Sequence, residues 1–128
     1  MVKKKNEYTN GALLTLEIVG NKWKPLIICH LLDGPLRTLE LQRRVKGISA
    51  KVLVEQLKQL EADNIIDRKS FKEIPPHVEY SLTPEGYTLA KVLGSMSSWG
   101  EQKAQQMNDT GNNVKLEYSD HEKWTNEK

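Results

Sequence analysis

The sequence predicts a mainly α fold carrying one small β-hairpin (α+β), and three observations predict it. Apolar residues recur at helical spacing in five segments; the period changes to alternation around Pro75-Pro76; and the helical segments open on cap residues or close on glycine. A chain of 128 residues supports one domain with a modest core, and a dimer if two copies share their apolar faces.

The first helix is expected over Ala12 to Val19, closed by Gly20 and Asn21. Asn21 then caps a second helix with Pro25 in its first turn, where the missing N–H costs nothing. That helix runs through Leu26, Ile27, Ile28, Cys29, His30, Leu31 and Leu32 to the stop Asp33-Gly34-Pro35, and is too apolar for a surface helix.

Thr38 is expected to cap a short third helix with Leu39, Leu41 and Val45 inward and Glu40, Arg43 and Arg44 outward. Lys46-Gly47-Ile48 turns the chain, and glycine supplies the backbone freedom this turn requires. Ser49 caps a fourth helix reaching Asp63. Its inward stripe is Leu53, Leu57 and Leu60 with Ala50 beside them, and its opposite face shows Lys51, Val52, Glu55, Gln56, Lys58 and Gln59.

Ile65 to Phe71 and His77 to Leu82 alternate as two strands of a hairpin. Thr83-Pro84-Glu85 has the order cap, N1 proline, N2 acid, and starts a long helix to about Met107. Leu89, Val92, Leu93, Met96 and Trp99 form its apolar stripe. We divide the chain into a flexible basic tail (1–11), the folded domain with its C-terminal dimerisation helix (12–107) and a polar, largely irregular tail (108–128).

This order of elements is that of a winged helix-turn-helix with flanking N- and C-terminal helices, and its charge follows suit. The formal net charge is only +2, yet residues 36–72 hold nine cations against five anions, whereas the chain after Met107 is net acidic. The fourth helix fits a major groove about 12 Å wide, where its first two outward turns reach base edges. The base-reading candidates are Ser49, Lys51, Val52, Glu55 and Gln56. Lys51 suits guanine or a phosphate, Gln56 adenine, Glu55 cytosine and Val52 a thymine methyl. Thr38, Arg43, Arg44, Lys46 and Lys58, with Arg68, Lys69, Lys72 and His77 of the wing, are the candidates for phosphate or minor-groove contact. Lys3, Lys4 and Lys5 fit either a DNA arm or a solubility feature.

Leu13, Leu14 and Leu16 with Leu89, Val92, Leu93, Met96 and Trp99 amount to more apolar surface than so small a domain buries alone, so they are the expected dimer interface. The alternative is packing of these helices within one chain. A protein-interaction module without specific DNA binding is the second functional reading, which Glu55 on the recognition face keeps open.

Catalysis is not expected. His30, His77 and His121 lack metal-ligand spacing, and no two glycines stand one residue apart as in a phosphate-cradling loop. No cofactor is expected. The hairpin offers only Phe71 and Tyr80 as stacking platforms, so duplex DNA is preferred over single-stranded RNA. One cysteine, no apolar signal core and no membrane-length apolar run point to the cytoplasm.

The sequence also resembles the HxlR-type winged-helix transcriptional regulators. The similarity spans about Ala12 to Gly100 and rests on Ile18 to Ile28 (I-V-G-N-K-W-K-P-L-I-I), His30 to Pro35 (H-L-L-D-G-P), Gly47-Ile48-Ser49, Gln56 to Glu61 (Q-L-K-Q-L-E), Val78 to Gly86 (V-E-Y-S-L-T-P-E-G) and Trp99-Gly100. The resemblance implies a homodimer that binds an operator and represses or activates neighbouring genes, its first and last helices forming the subunit contact; in a dimer the operator is expected to be a near-palindrome. Many members carry a cysteine just before the first helix, and some sense oxidants with it; this chain has Asn10-Gly11 there, so the resemblance supplies no effector. Cys29, within an apolar helix, reads as a core residue.

Overall fold

In the computed structural model the described residues are 6–117 and 124. Lys3, Lys4, Lys5 and most of the tail beyond 117 therefore lie outside them. The elements run α1 (Gly11–Val19), α2 (Trp23–Leu31), β1 (Leu36–Arg37), α3 (Thr38–Arg44), α4 (Ala50–Ala62), β2 (Ile66–Phe71), β3 (His77–Leu82) and α5 (Pro84–Asp109). Among the described residues no helix is long and apolar enough to cross a membrane.

Side-chain oxygens start four of the five helices that the described residues form. Asn10 accepts from the Leu13 N–H, Asn21 Oδ1 from the N–H groups of Trp23 and Lys24, Ser49 from Val52, and Thr83 from Gly86. The helix α3 departs from expectation. Thr38 is its first helical residue, Arg37 takes the cap position, and no side chain caps it. Its entry is held instead by a third strand that the sequence reading lacks. β1 pairs with β3 through Leu36 to Tyr80 and Arg37 to Glu79, and β3 pairs with β2, so the sheet order is β1-β3-β2. Two residues are too few to show alternation.

The core gathers Ile27, Ile28 and Leu31 of α2, Leu41 of α3, Leu53, Leu57 and Leu60 of α4, and Ile66 of β2, all essentially inaccessible. Each such burial contributes about 1.5–3 kcal/mol. Because the stripe of α4 packs on α2 and β2, the opposite face of α4 is left outward at a set angle.

Several inward assignments need correction. Leu39 is 73% exposed, because it stands about 200° around the helix from Leu41, which with Val45 takes the buried stripe. Ala50 is exposed, since the first turn of α4 projects beyond the core. Val52, expected outward, lies half-buried against the core. Leu93, expected at the dimer interface, is 4% exposed within the single chain, and Leu89 packs partly against the same core. At the far end, α5 extends to Asp109 and residues 112–116 have no regular structure, but Trp124 is buried in the core cluster. A large apolar ring gains more from burial than its polar surroundings in sequence indicate.

The joint between α4 and α5 is tied by one hydroxyl. Thr83 is 3% exposed; its Oγ1 lies 2.6 Å from the Asn64 carbonyl and 3.1 Å from that of Ile65, and it accepts from Gly86 N. Thr83→Val keeps the shape but removes both roles, so we expect a loss of about 2 kcal/mol in urea denaturation, largely restored by Thr83→Ser.

Candidate nucleic-acid interface

The surface that could meet a groove is built outward from the turn between α3 and α4. Gly47 adopts φ 87°, a left-handed conformation, and Ser49 then starts α4 by holding Val52 N at 3.1 Å. From this start Ser49, Lys51 and Glu55 stand exposed, with Lys58 further along the same helix. Gln56 is half-buried, and its Oε1 accepts from Asn21 Nδ2 at 2.9 Å. Of the five base-reading candidates, Ser49, Lys51 and Glu55 are thus open, whereas Val52 and Gln56 are engaged with the protein.

Of the cations expected at flanking phosphates, two are shared with an anion. Glu40 sits 3.2 Å from Arg44 Nε and 3.8 Å from Arg43. Such exposed pairs are worth little, so both guanidiniums remain available to a stronger anion at small cost. Lys46 is exposed on the turn, and Thr38 is half-buried at the start of α3. An open groove between β1 and α3 is bordered by Arg37, Glu40, Arg43 and Glu79.

The wing continues the positive surface. Arg68, Lys69 and Lys72 are exposed, with Arg68 donating to Ser70 Oγ at 3.3 Å. In the β2–β3 register Phe71 faces His77, and their rings stack 4.6 Å apart at 12°. The Lys69 ammonium lies 5.1 Å from the other participant in this column, the Phe71 ring. His77 does not stand as the free phosphate contact expected from sequence. Its side chain is only 12% exposed, and its two ring nitrogens face Glu73 at 3.7 Å and Glu79 at 3.2 Å. Its place is inside the wing, stacked on Phe71 of β2, the strand that carries Lys69.

Asn21 was legible only as a cap, and its bond to Gln56 went unread because the two stand 35 residues apart in sequence. Beside it Lys22 is exposed, its ammonium 4.4 Å over the Trp23 ring. Among the described residues no cluster of three or more His, Cys, Asp or Glu side chains could hold a metal ion. Cys29, the single thiol, is buried.

Leu13, Leu14 and Leu16 of α1 and Val92, Met96 and Trp99 of α5 are exposed, Trp99 to 67%.

Comparison with known proteins places this geometry in context. Residues 18–108 match the family described as HxlR-like helix-turn-helix. The chain is 43% identical over 96 residues to the HTH-type transcriptional regulator YtcD of Bacillus subtilis strain 168, covering 75% of this chain and 76% of that one. Among solved structures it is similar to the redox regulator HypR in its reduced form, with TM-score 0.71, 38% identity and coverage of 77% of this chain and 97% of HypR. It is also similar to the reduced form of the transcriptional regulator YodB from B. subtilis, with TM-score 0.65, 38% identity and coverage of 70% and 88%.

Proposed function

We propose, on the premise that the chain belongs to the HxlR-like helix-turn-helix family, that it binds a near-palindromic DNA operator as a homodimer. Its family and these relatives regulate transcription and are not enzymes, and this chain is a winged-helix transcriptional regulator. In our reading α4 enters the major groove, Ser49, Lys51 and Glu55 meet base edges directly, Gln56 does so from its bond with Asn21, and Val52 contributes at most an edge contact. Arg43, Arg44, Lys46 and Lys58 hold phosphates, and Arg68, Lys69 and Lys72 follow the adjacent backbone or minor groove. The functional unit is 12–107, acting in the cytoplasm where the DNA is, with the 108–128 tail adding Trp124 to the core.

The observation that carries this reading is exposed positive charge: Arg43 and Arg44 of α3, Lys46 of the turn, Lys51 and Lys58 of α4 and Arg68, Lys69 and Lys72 of the wing all stand exposed, and the one anion of α3, Glu40, pairs at the surface with Arg43 and Arg44. The exposed apolar residues of α1 and α5 support two copies joined through these helices, and in that reading the two recognition helices stand about 34 Å apart, one turn of DNA.

Salt titration of duplex binding tests the charge-based part. Binding should weaken steeply as salt rises, because each neutralised phosphate releases counterions; a shallow dependence would favour a protein-docking role for the same face. Arg44→Ala should weaken all duplexes alike and reduce the salt slope by about one, whereas Lys51→Ala should cost about 1–3 kcal/mol on the preferred sequence and little on others. Equal, sequence-independent losses from both would remove Lys51 from the base-reading set.

A further inference from the structure

We infer that Asn21, outside the helix-turn-helix, sets the base preference of Gln56 by fixing which end of its amide can face the DNA. This rests on the reading of α4 as the recognition helix. Asn21 Oδ1 accepts from both Trp23 N and Lys24 N, each at 2.9 Å, so its two lone pairs are used in capping α2. The group it turns to α4 must then be its amide NH2. A donor there demands an acceptor, and Gln56 meets it with Oε1 at 2.9 Å. The orientation of both amides follows from the backbone donors of α2.

The consequence is chemical. Gln56 Nε2, with its two N–H donors, is the end left for the groove. Donors suit guanine O6 and N7, thymine O4 and adenine N7, and they oppose the amino group of cytosine. Gln56 is thereby a donor-type reader that disfavours cytosine, rather than the adenine-specific residue its side chain would be if free to turn. The same bond links the α1–α2 joint to the recognition helix, since Asn21 N donates to Val19 O at the end of α1.

One substitution separates this from a purely structural role. Asn21→Asp keeps the cap, because Asp and Asn serve equally well there. The introduced carboxylate, however, turns an acceptor toward Gln56, which must rotate its amide to donate and so present Oε1 to the groove. Selection of bound duplexes from a random pool should show wild type disfavouring cytosine at one position per half-site. Asn21→Asp should reverse that position toward cytosine or adenine, shifting the relative preference by about tenfold. The added negative charge lowers affinity for all duplexes, which is why base preference is the readout. Asn21→Ser, which keeps a cap oxygen but has no amide, should flatten the preference without reversing it. In a Gln56→Ala background, Asn21→Asp should leave every position unchanged. If the wild-type protein selects a defined sequence and Asn21→Asp selects the same one, the inference is overturned while the recognition-helix reading stands. If wild type selects no sequence, that reading fails and this inference with it.

Discussion

Replacing Gly86 with alanine is expected to lower the folding free energy by about 2–3 kcal/mol, although the same change in an open helix stabilises by about 1 kcal/mol. Gly86 is in the first turn of α5, and a methyl group added there would overlap the carbonyl oxygen of Ile65 and press on Leu82 Cδ2 at 3.2 Å. The obstructing carbonyl has little room to yield. It accepts from Thr83 N at 3.0 Å and stands 3.1 Å from Thr83 Oγ1, and Gly86 N is itself bonded to that hydroxyl. Moving it breaks the tie that fixes where α5 leaves the sheet. In a domain of this size the loss should lower Tm by about 10 °C or more, read by thermal denaturation, and the direction of the angle between α5 and β2 should change before α4 is affected. An unchanged or raised Tm would mean that α5 is not docked this closely.

The second large effect concerns assembly. Leu16→Glu combined with Trp99→Glu is expected to give a folded monomer whose operator affinity falls by at least about 100-fold. Leu16 and Trp99 are 51% and 67% exposed in the protomer, so charges there cost the isolated fold little. In a twofold contact each substitution appears twice, which places four carboxylates in the interface. The operator loss follows from avidity, since a monomer engages one half-site without the high local concentration that the partner supplies. Sedimentation equilibrium reports the dissociation and a duplex titration the affinity. Leu93→Ala should behave differently: as a core residue at 4% exposure, it should lower stability by about 2–5 kcal/mol through the cavity left behind. A dimer that survives the paired glutamates would assign the subunit contact to another face.

Much of this architecture was legible because local signals and burial agree. Ser49 and Thr83 cap as their side chains allow, and the Leu53, Leu57 and Leu60 stripe is buried as its spacing demands. The misses share a cause, which is that periodicity sees one element at a time. β1 exists only because β3 pairs with it. Leu93 belongs to the stripe of α5 but faces the chain's own core, while Val92 and Met96 on the same helix do not. Trp124 sits among polar residues in sequence and reaches the core only through the tertiary path of the chain. Within the candidate interface, residue type identified the cations of α3 and the wing. It did not reveal that His77 stacks on Phe71 of the neighbouring strand, nor that Asn21 holds Gln56, since both are contacts between elements.

If two copies of this chain read DNA with α4, selection from a random duplex pool by the wild-type protein should enrich a near-palindrome whose half-sites lie about 10–10.5 base pairs apart, centre to centre, or a multiple of that. Recovery of unenriched sequence, or of a single half-site without its symmetric mate, would contradict that reading.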